Sequence, residues 1–237
     1  MKKTSWIFAG MMLFSAYAAD TKVFSLGTPG MPVSILKDER LQKALDLKPD
    51  LTVLLIGTND TINSSSLTPL PEFEENYNRV VRRLLDSGSR VILVTVPPCN
   101  ESLLYKRHQK EKFGSMSPNA RILEANRIIK SIAEKNKLPL VDFHAEVMKQ
   151  GTSGKDSLIR NPDNHGGLDG VHPTPAGYRR LAEMVFQTIR ANRISAPRIV
   201  CLGDSITYGA NVKGAGTVGG DTYPGQLLLL LLNEPPK

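Results

Sequence analysis

Apolar residues along this chain fall into two kinds of run. In the first kind they are nearly continuous: Leu51-Thr52-Val53-Leu54-Leu55-Ile56 and Val91-Ile92-Leu93-Val94 have almost no polar interruption. Strands buried on both faces look like that. Runs of this kind predict strands over Lys22–Leu26, Leu51–Ile56, Arg90–Val96, Leu138–Phe143 and Ile199–Leu202. In the second kind apolar residues recur at helical spacing. Phe73, Tyr77, Val80, Val81, Leu84 and Leu85 predict a helix over Pro71–Asp86, and Ser87-Gly88 stops it. Ser117-Pro118 and Thr174-Pro175 each set a capping hydroxyl before a proline, which opens helices over Asn119–Lys137 and Ala176–Asn192. A last helix, Tyr223 to Leu232, ends in six leucines, Leu227–Leu232. That run is too short to cross a bilayer, so it is expected to be buried against the sheet.

Strands alternating with helices predict a five-stranded parallel sheet covered on both faces. Ligands of such sheets bind beyond the carboxyl ends of the strands. Four strand ends carry suggestive chemistry: Gly27-Thr28-Pro29-Gly30, Gly57-Thr58-Asn59-Asp60, Gly203-Asp204-Ser205-Ile206-Thr207 and, after a longer loop, Asp169-Gly170-Val171-His172-Pro173. A serine nucleophile needs a base within hydrogen-bond reach, and the base needs an orienting partner. Asp169 and His172 are spaced so that a carboxylate can hold one imidazole nitrogen while the other faces Ser205. Acyl transfer also needs donors for the developing oxyanion. The backbone N–H groups of Gly30 and Ser205 and the side-chain amide of Asn59 are the candidates.

Together, "GDSIT", the glycine of "GTPG", "GTND" and "DGVHPTPAGY" resemble the four sequence blocks of the SGNH (GDSL-type) hydrolases. The resemblance implies a flavodoxin-like three-layer α/β/α fold and ester hydrolysis without metal or organic cofactor. It makes Ser205 the nucleophile, His172 the base and Asp169 its orienter, with Ser205, Gly30 and Asn59 forming the oxyanion hole. The family's usual block order is Ser, Gly, Asn, Asp–His, whereas this chain runs Gly, Asn, Asp–His, Ser. The resemblance therefore implies a circular permutation that moves the usual first strand and helix, Arg198 to Leu232, to the C-terminus. Exported, compact members of the family point to acetylated carbohydrate, such as acetylated xylan, as substrate. A lysophospholipase or broad short-acyl esterase is the alternative enzyme, and a carbohydrate-binding protein on the same fold is the alternative outside catalysis.

Composition changes this picture at the edges. Lys2 and Lys3, the apolar stretch Trp6 to Phe14, and Ala16-Tyr17-Ala18 form a secretory signal peptide over residues 1–18, followed by one hydrolase domain over 19–237. A secreted or periplasmic protein is expected. The formal net charge is +7, but positive and negative residues are mixed along the chain. No basic block argues for nucleic acid as a partner, and no span argues for a membrane. Export permits disulfides, yet the two cysteines, Cys99 and Cys201, read as buried thiols, with a bridge as the alternative. Gly214-Ala215-Gly216-Thr217-Val218-Gly219 matches G-x-G-x-x-G but lacks the strand-to-helix context of a dinucleotide site. It is expected to be a mobile loop beside the active site. His108, His144 and His165 have no metal-ligand spacing to one another. His165 precedes Asp169 closely enough to touch the site, and its role stays open.

Overall fold

The computed structural model describes residues 21–37, 39–165 and 167–233. Residues 1–18, expected to be a signal peptide, lie outside the described residues. Five strands form one sheet: β1 (Lys22–Gly27), β2 (Leu51–Leu55), β3 (Arg90–Val94), β4 (Leu140–Val141) and β5 (Arg198–Gly203). Their spatial order is β1-β5-β2-β3-β4, and every pairing is parallel. The helices are α1 (Glu39–Asp46), α2 (Thr58–Ile62), α3 (Leu70–Asp86), α4 (Glu101–Leu104), α5 (Pro118–Lys135), α6 (Phe143–Met148), α7 (Pro162–His165), α8 (Pro175–Ala191), α9 (Ser205–Tyr208) and α10 (Tyr223–Leu232).

Alternation along the strands splits the core into two. Leu54, Val91, Leu93, Val200 and Leu202 face a layer built by α1, α3 and α5. Leu51, Val53, Leu55, Ile92, Val94, Ile199 and Cys201 face the other layer, built by α6, α8 and α10. Each strand contributes to both faces because successive side chains point to opposite sides. This is the α/β/α sandwich that the continuous apolar runs predict. Cys99 belongs to the first core and Cys201 to the second. Both are free and buried. Burial pushes both thiols up to about 12.

Three expectations need correction. The strand expected over Leu138–Phe143 is only Leu140–Val141. Leu138 still donates its N–H to Ala133 at the end of α5, and the Asp142 carboxylate caps α6 by accepting from the Ala145 N–H at 3.1 Å. Phe143 is therefore already helical. The strand expected over Arg90–Val96 ends at Val94. Beyond it the Asn126 amide replaces the ladder, accepting from the Val96 N–H at 2.8 Å and donating to the Val96 carbonyl at 2.9 Å. Finally, the leucine helix is not buried all round. Leu227 and Leu231 are buried, while Leu229 and Leu232 are half exposed. α10 packs on α8 and β1 along one stripe only. Among the described residues no helix is long and apolar enough to cross a membrane.

The two expected caps form: Ser117 Oγ accepts from the Ala120 N–H and Thr174 Oγ1 from Gly177. Thr222 Oγ1 caps α10 in the same way, accepting from Gly225. Each hydroxyl satisfies one of the donors that a helix start leaves without an intrahelical partner.

Candidate active site

Ser205 follows the central strand β5 directly. Gly203 ends the strand because nothing larger fits: a Cβ there would stand 1.9 Å from the Leu55 carbonyl oxygen and 2.4 Å from Thr207 Oγ1. Asp204 is fully buried and caps α9, accepting from the Ile206 N–H at 2.9 Å. The same carboxylate accepts from the Thr58 N–H at 3.3 Å. That contact fixes the end of β2 against the start of α9. Burial raises the Asp204 pKa, with the hydrogen bonds from Ile206 and Thr58 opposing it. Ser205, next in the chain, is 8% exposed.

Asp169 and His172 come from a loop, and hydrogen bonds rather than a strand hold it. Ile159 pairs with Pro173 in an isolated antiparallel bridge. Around it the Arg160 N–H donates to the His172 carbonyl at 2.9 Å, the Gly170 N–H to the Arg160 carbonyl at 2.9 Å, and the Asn100 N–H to the Gly170 carbonyl at 2.7 Å. Gly170 has φ 72°. That is a left-handed conformation which glycine adopts without strain. A Cβ there would also meet the Leu103 Cβ at 2.7 Å.

The loop folds around the carboxylate. Asp169 Oδ1 accepts from the Val171 and His172 N–H groups, both at 3.0 Å. Its oxygens lie 3.0 and 2.8 Å from His172 Nδ1. His172 Nε2 lies 2.9 Å from Ser205 Oγ. Facing an ionised carboxylate, Nδ1 must be the protonated nitrogen, which leaves Nε2 as an acceptor toward the hydroxyl. Burial works to raise the Asp169 pKa, but the hydrogen bond and charge of His172 and the two backbone N–H groups outweigh it, and the carboxyl sits at about 2. It is therefore ionised at neutral pH.

The remaining candidates meet at the same sheet edge. The Thr28 N–H continues the β1–β5 ladder by donating to the Gly203 carbonyl at 3.0 Å, and the Met31 N–H closes the next turn on the Thr28 carbonyl at 3.3 Å. Gly30 sits exposed in that turn with φ 76°. Asn59 stands in the first turn of α2, and its amide donates to the Met31 carbonyl at 3.3 Å. Neighbouring Asp60 is a buried carboxylate that accepts the Val33 N–H at 3.1 and 3.0 Å and the Thr68 hydroxyl at 2.8 Å. Burial pushes its carboxyl up to about 6. Asn59 and Asp60 thus tie the Gly30 turn to α2 from both sides.

Sequence reasoning names Gly30, Asn59, Asp169, His172 and Ser205, and the structure brings all five to one edge. It misses the polar residues that fix them. Asn211 donates to Asp169 Oδ2 at 2.6 Å. The Arg107 guanidinium touches the Asp169 carbonyl and lies 3.5 Å from Oδ1. Arg160 donates to the Asn211 carbonyl at 2.9 Å. None of these carries a motif, and only the contacts reveal them. His165 is exposed at the end of α7. His108 faces Ser64, at 3.3 Å from its N–H and 3.2 Å from its hydroxyl. The Gly214–Gly219 stretch turns back on itself, with the Thr217 N–H donating to the Gly214 carbonyl at 2.9 Å and the Asp221 N–H to the Lys213 carbonyl at 2.8 Å. It leads into the Thr222 cap of α10. A surface cavity of about 490 Å³ beside α6 and α8 contains none of the five candidates. Its Arg180 pairs with both Glu146 and Glu183. Among the described residues no group of three or more His, Cys, Asp or Glu side chains is placed to hold a metal.

Solved structures share this fold. A GDSL-like lipase from Bacteroides thetaiotaomicron is 23% identical with a TM-score of 0.54, over 69% of this chain and 73% of its own. A lipase/acylhydrolase from Enterococcus faecalis is 22% identical with a TM-score of 0.50, over 69% and 73%. A catalytic mutant of an acetylxylan esterase from Geobacillus stearothermophilus is 24% identical with a TM-score of 0.50, over 68% of each chain. No curated protein matches the sequence. The model of the GDSL-like lipase/acylhydrolase family matches residues 9–180, which include Gly30, Asn59, Asp169 and His172. With that match over most of the chain, and with the five-stranded parallel sheet of these hydrolases behind it, this protein belongs to the GDSL-like lipase/acylhydrolase family.

Proposed function

We propose that this chain is an exported serine esterase that removes acetyl and other short acyl groups, with acetylated carbohydrate such as acetylated xylan as substrate. The observation that carries the reading is the unbroken hydrogen-bond chain from Asp169 through His172 to Ser205 at the carboxyl edge of the sheet. In this reading Ser205 Oγ attacks the ester carbonyl as His172 Nε2 takes the hydroxyl proton. His172 then gives that proton to the leaving alcohol oxygen, and an acyl-serine remains. Water, deprotonated by His172, attacks the acyl carbon; the bond to Ser205 Oγ breaks, His172 returns the proton to that oxygen, and the acid leaves. Asp169 keeps the imidazole in the right tautomer and stabilises it when charged. The N–H groups of Ser205 and Gly30 and the second amide N–H of Asn59 bind the oxyanion. The choice of acetylated carbohydrate draws support from the acetylxylan esterase of like fold, and export rests on the N-terminal residues 1–18.

The chain order reads as a circular permutation of one hydrolase domain. Counted from β5 as the first strand, the observed sheet order becomes 2-1-3-4-5, the flavodoxin-like order. The segment from Arg193 to Pro197 would then join the family's usual last helix to its usual first strand.

The test is turnover of p-nitrophenyl esters of rising chain length and of acetylated xylan by wild type and by Ser205→Ala. Preference for acetate, with a loss of about three or more orders of magnitude in the variant, supports the reading. Preference for long acyl chains would redirect it to lipid. A wild type that binds xylan without turnover would make it a binding protein. Sequencing the N-terminus of exported protein checks the leader: the expected first residue is Ala19.

A further inference from the structure

The His172–Ser205 hydrogen bond cannot by itself hold nucleophile and base in register, because the proposed reaction consumes it in every cycle. Something else must fix the loop of Asp169 and His172 against the segment that carries Ser205. The two segments meet at Ala210 and Asn211, just beyond the Ser205 helix. Asn211 Nδ2 donates to Asp169 Oδ2 at 2.6 Å and lies 3.4 Å from His172 Nδ1. Arg160 donates to the Asn211 carbonyl at 2.9 Å, and the Tyr178 hydroxyl donates to the Ala210 carbonyl at 3.2 Å. Arg160 is itself bonded through its N–H to the His172 carbonyl.

We propose that Asn211 is a positioning residue of the esterase: its carboxamide clamps the Asp169 carboxylate and thereby fixes the His172 imidazole toward Ser205. The inference rests on the esterase reading above. The carboxylate geometry explains why such a clamp is needed. Oδ1 is held by the Val171 and His172 N–H groups of its own loop, both at 3.0 Å. Oδ2 carries the closest contact to the imidazole, at 2.8 Å. Among the described residues Asn211 is the one amide donor that Oδ2 receives from outside that loop. Without it only the contacts to Oδ1 resist a turn of the carboxylate about its Cβ–Cγ bond, a turn that would take the ring with it. Arg107, at 3.5 Å from Oδ1, supplies charge but no donor to Oδ2. The backbone at Asn211 fits the same purpose. Its φ is 67°, and asparagine is among the few residues with a side chain that occupy this left-handed region. That conformation turns the short carboxamide back toward the acid.

The test uses two variants of the full chain, Asn211→Gly and Asn211→Asp. Glycine keeps the left-handed backbone and removes the clamp. Aspartate sets a negative charge against Asp169 and His172. Asn211→Gly should lower kcat for p-nitrophenyl acetate about tenfold and leave KM within about twofold, as when an interaction made only in the transition state is lost. Asn211→Asp should move the acid limb of the kcat/KM profile upward, because a second carboxylate beside the imidazole favours its charged form. The low-field NMR signal of the His172 Nδ1 proton should shift or broaden in both. A merely structural role predicts a lower Tm with the acid limb and the proton signal unmoved, and that result overturns the inference. Wild-type kcat in both variants overturns it as well. The two failures are separable: a wild type inert toward every ester removes the esterase reading and this inference with it, whereas an active wild type with unchanged variants removes this inference alone.

Discussion

The nucleophile and its base stand 2.9 Å apart but are held by different means. Ser205 sits at the end of β5, which has a hydrogen-bonded neighbour on each side, and directly on the buried Asp204 cap. Its position is set by the sheet. Asp169 and His172 sit on a loop with no strand immediately before it, fastened by an isolated bridge, a left-handed glycine and contacts from Asn100, Arg160 and Asn211. Their position is set by polar contacts between segments distant in sequence. Sheet-set geometry is rigid because displacing it breaks packing on two faces. Loop-set geometry can be altered one hydrogen bond at a time. Substitutions near Ser205 should therefore register as stability, and substitutions around Asp169 as turnover.

The largest effect should come from the loop. Asp169→Asn leaves the shape intact but presents the wrong partner to His172 Nδ1, and turnover should fall about 10⁴-fold while the loss of stability stays within about 2–3 kcal/mol. Steady-state kinetics beside a thermal melt decides it. A large drop in Tm with modest loss of turnover would reverse the contrast between the two regions. Next comes the oxyanion edge. Asn59→Ala should reduce kcat by about 10²–10³ with little change in KM. A variant altered only in KM would make Asn59 a substrate-binding residue.

The sheet side should answer in stability. Gly203→Ala forces a methyl within 1.9 Å of the Leu55 carbonyl, so β5 and β2 must separate. A loss of about 3 kcal/mol, at the upper end for overpacking, is expected in urea unfolding. An unchanged midpoint would mean that this edge of the sheet yields more readily than its packing suggests.

The smallest effect concerns pH, where two acids have opposite signs. Asp169, held at about 2, lies below its unfolded value of about 3.9. Its contribution to stability is present above about pH 4 and lost as pH falls toward 2, and it amounts to about 2–3 kcal/mol. Asp60, pushed to about 6, lies above its unfolded value. Its contribution is present below about pH 4 and lost as pH rises through 6, again by about 3 kcal/mol. Unfolding free energy measured from pH 2 to 7 should thus gain at the low end from Asp169 and lose at the high end from Asp60. Asp169→Asn should flatten the first slope alone, and Asp60→Asn the second alone. If Asp60→Asn leaves the region between pH 4 and 6 unchanged, its carboxyl is not raised.

Residues that repeat a local rule were legible in the chain. Phe73, Tyr77, Val80, Val81 and Leu84 fall on one buried helical face, and all five are buried in α3. Ser117 and Thr174 cap the helices they precede. Strand ends were less legible, because what ends β3 is an amide on α5, Asn126, and what ends β4 is a cap that competes with extension. The short helix α1 escapes a reading based on long periodic runs, since Leu41 and Ala44 are its two buried residues. Gly30, Asn59 and Ser205 were legible because they stand just beyond strands, and Asp169 and His172 because their spacing suits a carboxylate holding an imidazole.

The sequence by itself determined the layers. Period-two and period-3.6 burial are properties of a single segment, and a hydrophobic run must hide its surface whatever its neighbours turn out to be. It also determined which residue types stand at the strand ends. Only the tertiary structure decided the strand order β1-β5-β2-β3-β4, and with it the meeting of Ser205 with His172. It alone decided that Asn211, Arg107 and Arg160 surround Asp169. A hydrogen bond depends on distance and angle between two atoms, and neither can be read from one residue's own surroundings in the chain.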